Sequence, residues 1–220
     1  MKELRHTPSR QRATSEPPSP AKTRIFTRRG DSGQTDFPAL GRIAKSHPML
    51  EACGSLDELN CAMGELAARI RTSSLEMAER RTILRQLRRI QGELLGLGSL
   101  MSSAWGRARN RPARPRAMFR RLESEIEAME AGLSPCRSFL LPGSNLLSSA
   151  AHLARAICRR AERNCVAVLG NEPPADSVLP YLNRLSDWLF VLARRLSKLS
   201  GQEDTFWRGP RKSRFRRSSR

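Results

Sequence analysis

Ile83, Leu84, Leu87, Ile90, Leu94, Leu97 and Met101 return at intervals of three and four, a spacing that lines one face of an α-helix and no face of a strand. Four more segments carry the same period: Leu59 to Ile70, Leu122 to Met129, Leu147 to Cys165 and Val178 to Leu196. The S-x-x-E of Ser55 to Glu58 predicts a capping box, so a first helix is expected over about 56–71 and a second over about 76–103. Gly132 and Pro135 are expected to end the third. Aromatic residues make up only 5% of the chain and Tyr181 is the sole tyrosine, which speaks against a β-sandwich and against a module that stacks bases on rings. The expected fold class is all-α, an antiparallel five-helix bundle with short connections and no solenoid repeat.

Charge divides the chain differently. There are 40 Lys and Arg against 21 Asp and Glu, a net +19, yet residues 1–24 contribute +4, Trp105 to Arg121 +7 and Phe206 to Arg220 +7. What remains is nearly neutral. A folded core over 25–200 is therefore expected, interrupted by an arginine-rich loop at 105–121 and flanked by flexible basic tails at 1–24 and 201–220. Such tails suit nonspecific contacts with RNA or other anions, and a basic helical nucleic-acid-binding protein is the alternative reading. Five cysteines, an odd number without C-x-x-C, indicate neither a disulfide framework nor a zinc ribbon and point to a reducing compartment. No apolar run reaches the ~18 residues of a membrane span, and the N-terminus lacks a secretory apolar stretch. It is rich in Arg and Ser, as transit peptides are, but Glu3, Glu16 and Pro17-Pro18 interrupt it. A cytoplasmic location is expected, with a mitochondrial one as the alternative.

Three regions concentrate chemistry. Between Ile25 and Gly54, Gly30, Gly33, Gly41, Pro38 and Pro48 argue against regular helix, while Thr27, Arg28, Asp31, Thr35, Arg42 and Lys45 crowd together. Glycines admit a phosphate to backbone N–H groups, threonines donate to it, cations neutralise it, and Asp31 suits a ribose hydroxyl or a magnesium ion; the same G-D-S-G string is also an ordinary turn. In HLARAICRRAER, Arg155, Arg159 and Glu162 or Arg163 share one helical face bordering apolar Leu147 and Ala151, a placement for bidentate donors to a polyphosphate. Asn183 and Asp187 lie four apart on the last helix, and Asp57 and Asn60 three apart on the first. A di-iron bundle is excluded because it needs two Glu-x-x-His motifs and the chain has one, Glu3 to His6 in the basic N-terminal segment, and His6, His47 and His152 form no cluster. His152 is expected to pack, and the cysteines at apolar helical positions to be small core residues.

Five blocks together carry a family resemblance: TRRGDSGQT at Thr27 to Thr35, K-x-x-P-x-x-E-A-x-G-x-x-DELN from Lys45 to Asn60, F-x-LPG at Phe139 to Gly143, RAICRRAER at Arg155 to Arg163, and YLNRLSDWLFVLAR at Tyr181 to Arg194. In this order they resemble the ATP:cob(I)alamin adenosyltransferases of the trimeric five-helix-bundle class. The resemblance implies transfer of the 5′-deoxyadenosyl group of ATP to cob(I)alamin, with triphosphate leaving, in a homotrimer fed by a cob(II)alamin reductase. It implies that Thr27, Arg28, Gly30, Asp31, Gly33, Thr35 and Lys45 hold ATP from one subunit, and Arg159, Glu162, Arg163 and Asn183 from the next, Glu162 also serving Mg2+. It further implies that Asp57 pairs with Arg155 on the corrinoid side, near Asp187, and that Phe139 covers the lower corrin face; Asp57, Phe139, Arg155 and Arg159 are then the catalytic set. Ser46-His47 stands where an acidic pair is usual, Cys53 where tyrosine is common, and Gly143-Ser144-Asn145 where a double glycine is usual.

Overall fold

Pro48 needs no hydrogen-bond partner for its nitrogen and sets φ for a first helical turn, so the chain becomes helical as soon as His47 has capped it. In the computed structural model, which describes residues 25–104, 115–170 and 175–209, helix α1 runs Pro48–Arg71 and His47 Nδ1 accepts the Met49 N–H at 3.1 Å. This overturns two expectations, the start near Ser55 and the absence of helix up to Gly54. Ser55 lies inside α1 and its hydroxyl donates back to the Glu51 carbonyl at 2.7 Å, the bond a mid-helix serine makes when no free N–H awaits it. Helix α2, Met77–Ala104, is capped by Glu76, whose carboxylate accepts from the Ala78 and Glu79 N–H groups at 3.0 and 3.2 Å. Those two N–H groups hold its carboxyl below the usual range.

Helix α3, Pro115–Glu130, starts well before Leu122 and absorbs the end of the expected arginine-rich loop, Pro115 again marking a first turn. Residues 105–114 of that loop, and the tail segments 1–24 and 210–220, lie outside the described residues. Helix α4, Leu146–Leu169, begins under an Asn145 cap that takes the Ser148 N–H at 2.8 Å; α5 is Ala175–Leu199. The five expected helices are all present. Two small antiparallel ribbons were not legible in the apolar pattern: β1, Gln34–Phe37, with β2, Gly41–Ala44, and β3, Leu140–Leu141, with β4, Thr205–Phe206. Gly41 turns the first with φ 72°.

Packing follows the buried stripes. Helix α4 lies against both α1 and α5, α2 covers α1, and α3 covers α5. Ala151, Ala154, Cys158, Ala161 and Cys165 form much of the inner face of α4, so its neighbours approach closely, while Leu59, Met63, Leu66, Leu182, Leu189 and Leu192 fill the space around them.

One polar knot ties α2, α3 and α5 together along their length. Arg89 makes bidentate bonds to Glu93 at 2.9 and 2.7 Å and to Glu125 at 3.0 and 2.8 Å, while Tyr181 Oη donates to Glu93 and Trp188 Nε1 to Glu125 at 2.7 and 2.9 Å. Burial and the Glu93 charge keep the Tyr181 hydroxyl protonated. All three ionised side chains are less than one-fifth exposed, so removing the single cation leaves two carboxylates facing each other. Arg89→Met is expected to cost about 3 kcal/mol or more in urea unfolding, and adding Glu93→Gln and Glu125→Gln to recover part of that loss. A loss under ~1 kcal/mol would show that the knot contributes no more than a surface pair.

Candidate functional site

The glycine-containing segment folds into a tight double turn that feeds the β1–β2 hairpin. The Asp31 N–H reaches the Arg28 carbonyl and the Gly33 N–H the Gly30 carbonyl, each at 3.2 Å, and the Lys45 N–H closes the motif on the Gly33 carbonyl at 2.8 Å. A β-carbon on Gly30 would stand 3.0 Å from Lys45 Nζ, so the bare glycine lets the ammonium lie against the turn. Arg28 holds φ 60°, a backbone strain of order 1 kcal/mol for a non-glycine residue, and places its guanidinium 5.8 Å over the Phe26 ring. Asp36 occupies Arg29 at 2.8 Å and Arg42 at 3.4 Å, whereas Arg28 and Lys45 make no ion pair among the described residues. The turn thus gathers Gly30, Gly33 and Lys45, with Thr27, Arg28 and Asp31 exposed beside them and Thr35 half-buried.

Helix α4 presents the second group. Its two polar edges do different work: Arg160 pairs with Glu58 and Asn164 donates to Ser55 at 2.6 Å, fastening α1, while Arg155, Arg159, Glu162 and Arg163 occupy the edge toward α5. Glu162 Oε1 accepts from Asn183 Nδ2 at 3.2 Å, and Asn183 Oδ1 takes Arg184 Nη1 at 2.8 Å. Asn183 is half-buried as expected at the edge of the core; Asp187 is exposed, 3.8 Å from Arg184. Arg159 and Arg163 are exposed and Arg155 half-buried, and none of the three makes an ion pair among the described residues. Arg155 Nε is buried without an acceptor, and burial together with the neighbouring Arg159 charge lowers its pKa.

The expected Asp57–Arg155 pair does not form within the chain. Asp57 lines a cavity of about 200 Å³ with Cys53, Asn60, Leu94 and Gly98, between α1 and α2, whereas Arg155 belongs to α4 and takes no part in that cavity. Asn60 accepts the Gln91 side-chain N–H on its carbonyl at 3.2 Å and buries an unpartnered Oδ1. The two halves of the expected site therefore lie on separate faces of one subunit.

Phe139 is 80% exposed on the segment before β3. Its ring meets Trp207 edge to face, centroids 6.4 Å apart at 71°, and the Trp207 N–H donates to the Phe139 carbonyl at 2.7 Å. Together they wall an open cleft of about 480 Å³ with Arg137, Ser138 and Gly209. Trp207 was missed in the sequence, and the tail boundary at 201 needs correction: residues 205–206 are strand β4, paired with β3. The Phe206-Trp207 pair, aromatic amid arginines, was the available signal.

Three of the expected departures from the family pattern, His47, Ser144 and Asn145, serve as fastenings. His47 and Asn145 cap helices, and Ser144 shares a hydroxyl hydrogen bond of 2.5 Å with Ser197 of α5. His152 packs as expected, 6% exposed with its ring edge-on to Phe190 at 6.0 Å. All five cysteines are free; Cys158 and Cys165 are core residues, burial pushing the Cys165 thiol up to about 12, whereas Cys53 is half-buried and Cys61 and Cys136 are exposed, against expectation for Cys61.

Known proteins align with this architecture. The family model for cobalamin adenosyltransferase matches residues 25–196. A corrinoid adenosyltransferase of Mycobacterium bovis is 39% identical over 191 residues, covering 84% of this chain and 93% of its own. A human corrinoid adenosyltransferase is 31% identical over 195 residues, covering 86% and 75%. Among solved structures, a variant PduO-type ATP:corrinoid adenosyltransferase from Lactobacillus reuteri, complexed with cobalamin and ATP, is 31% identical with a TM-score of 0.75, covering 84% of this chain and 97% of that one.

Buried His152 makes acid stability a local test. Burial and the Arg155 charge hold its pKa below the ordinary 6.5, Asp204 partly opposing them. Above 6.5 the imidazole is neutral folded and unfolded; as pH falls below 6.5 the unfolded chain takes the proton first, so stability declines. His152→Leu is expected to flatten the fall of urea midpoint between pH 7 and 5 relative to the parent. Parallel curves over that range would remove His152 from the acid response.

Proposed function

The chain belongs to the cobalamin adenosyltransferase family, and on that footing we propose that it transfers the 5′-deoxyadenosyl group of ATP to the cobalt of cob(I)alamin, giving adenosylcobalamin and triphosphate. The observation that carries the reading is that Arg28, Lys45, Arg155, Arg159 and Arg163 remain outside ion pairs among the described residues, while Arg29, Arg42, Arg160 and Arg184 are each committed to a carboxylate. Cations with no internal partner are available to oxyanions of a ligand.

The chemistry needs alignment and charge neutralisation. Cob(I)alamin attacks the 5′ carbon, the C–O bond to the α-phosphate breaks, and the bonding pair leaves on triphosphate. Arg28 and Lys45 on the glycine turn, with Thr27, Asp31, Thr35 and the backbone at Gly30 and Gly33, hold the nucleotide from one subunit. Arg159, Arg163 and Asn183 meet its phosphates from a neighbour and neutralise the leaving charge. Among the described residues no three His, Cys, Asp or Glu side chains gather as a metal site. Glu162, whose carboxylate already accepts from Asn183, is the residue that would hold Mg2+, and the ion would help neutralise the charge of the phosphates.

A homotrimer completes the site. It brings Asp57 of one subunit to the half-buried, acceptor-less Arg155 of the next, and Asp187 stands on the same corrinoid side. Phe139, with Trp207 beside it, covers the lower face of the corrin and keeps its base off cobalt, which eases reduction of cob(II)alamin by a partner reductase. The enzyme works in the cytoplasm, in the supply of adenosylated cobalamin. No helix among the described residues is long and apolar enough to cross a membrane. The basic segments outside the core make weak, salt-sensitive contacts with polyanions as a separate property.

Incubation with ATP, magnesium and chemically reduced cobalamin should bleach the Co(I) absorption with one triphosphate formed per adenosylcobalamin; ADP or pyrophosphate as the stoichiometric product contradicts the reaction. Arg159→Ala should lower turnover and weaken ATP, at a loss of about 2–5 kcal/mol in kcat/KM. Unchanged constants would remove Arg159 from the phosphate site.

Asp57→Ala and Arg155→Ala should each raise the corrinoid KM, with the double variant little worse than either. Mixing the two single variants, so that trimers form with one native pair at some interfaces, should restore part of the activity. Additive losses and no restoration would separate the two residues.

A further inference from the structure

The ribbon that displays Phe139 and Trp207 has almost nothing apolar beneath it. Its strands are two residues each, Leu141, Phe206 and Trp207 are exposed along with Phe139, and a two-stranded ribbon of this length is not stable alone in water. Something else must fix the corner.

Arg194 of α5 does so from below. It is 5% exposed, and its guanidinium divides between the two arms of the ribbon: Nε donates to Asp204 Oδ2 at 2.7 Å, immediately before β4, and Nη2 to the Ser134 carbonyl at 2.6 Å, in the turn after α3 that leads to β3. Lys198 Nζ reaches the Gly132 carbonyl at 2.5 Å, and the Ser144–Ser197 hydroxyl bond holds the exit of β3 to the same helix. A buried guanidinium is costly unless its donors are satisfied, so the ribbon's two arms can separate only by leaving that charge unpartnered.

We propose that Arg194, through Asp204, is a positioning residue for the Phe139–Trp207 corner, setting how closely the two rings approach the lower face of the corrin. The proposal rests on the corrinoid assignment of that corner made above. Arg194 touches neither substrate; it acts by holding the chain segments that carry the two rings. The fork is what allows one side chain to bridge both arms, so a lysine at this position, with a single ammonium, cannot reproduce it.

Two readouts separate the clamp from the assignment. The chain has three tryptophans, so the Trp207 indole N–H can be identified in nitrogen-edited NMR spectra by its loss in Trp207→Phe. In Asp204→Asn, Asp204→Ala and Arg194→Lys this signal is expected to move toward that of an unstructured indole while the buried Trp188 signal stays, which also reports that the bundle is folded. An unmoved Trp207 signal in all three variants overturns the clamp whatever the activity. Turnover is then measured from cob(II)alamin with a reductant, and from a corrinoid that lacks the lower base. Misplacing the rings should cost about 10- to 100-fold in kcat on cob(II)alamin, with the base-free corrinoid and the ATP KM changed less than about threefold. Equal losses on both corrinoids, or a raised ATP KM, make Arg194 merely structural and overturn the positioning role. A displaced Trp207 with full turnover on both leaves the clamp standing and removes the corner from the corrinoid site.

Discussion

Close approach of α4 to α1 and α5 is the constraint on which the rest depends. Alanines and cysteines on its inner face leave no room for reorientation, so once α4 is seated, the direction of every other residue on it is set. One polar edge, Arg160 and Asn164, is used to hold α1. The other edge carries Arg155, Arg159, Glu162 and Arg163 to the flank of α5, where Asn183 meets Glu162. The same helix thus supplies the centre of the core and the cationic strip, and its small residues allow both.

Paired and unpaired cations sort by task. Arg89, Arg194 and Arg195 are each satisfied by carboxylates on other segments and tie helices or ribbons together. Arg28 and Lys45 at the glycine turn and Arg155, Arg159 and Arg163 of the α4 strip have no such partner among the described residues, and Arg155 keeps an unsatisfied Nε at the cost of partial desolvation.

Three of the residues expected to set this chain apart from the family pattern, His47, Ser144 and Asn145, fall at helix starts, while Cys53 lies within α1. His47 and Asn145 each take an N–H that a helix start leaves without an acceptor, and Ser144 finds Ser197. They fix where α1 and α4 begin, and so where the glycine turn and the Phe139 segment are delivered, without standing in either group of unpaired cations.

Helix number and type were legible in the sequence because a period of three and four over many residues has one geometric meaning. The ordered blocks around Gly30, Asp57, Phe139, Arg155 and Asn183 also sufficed to identify the family, since they are local strings. Helix starts were less legible: Ser55 looks like a cap, but Pro48 wins because its ring favours the first turn and the serine hydroxyl is satisfied within the helix. Strands β3 and β4 carry no period at two residues each, so the contact between Phe139 and Trp207, 68 positions apart, and the Arg194 fork beneath it came only from tertiary structure. The same holds for the separation of Asp57 from Arg155. Sequence spacing gives the face of one helix, but which faces of different helices meet is decided by how side chains of given volume pack, and that is a property of the whole bundle.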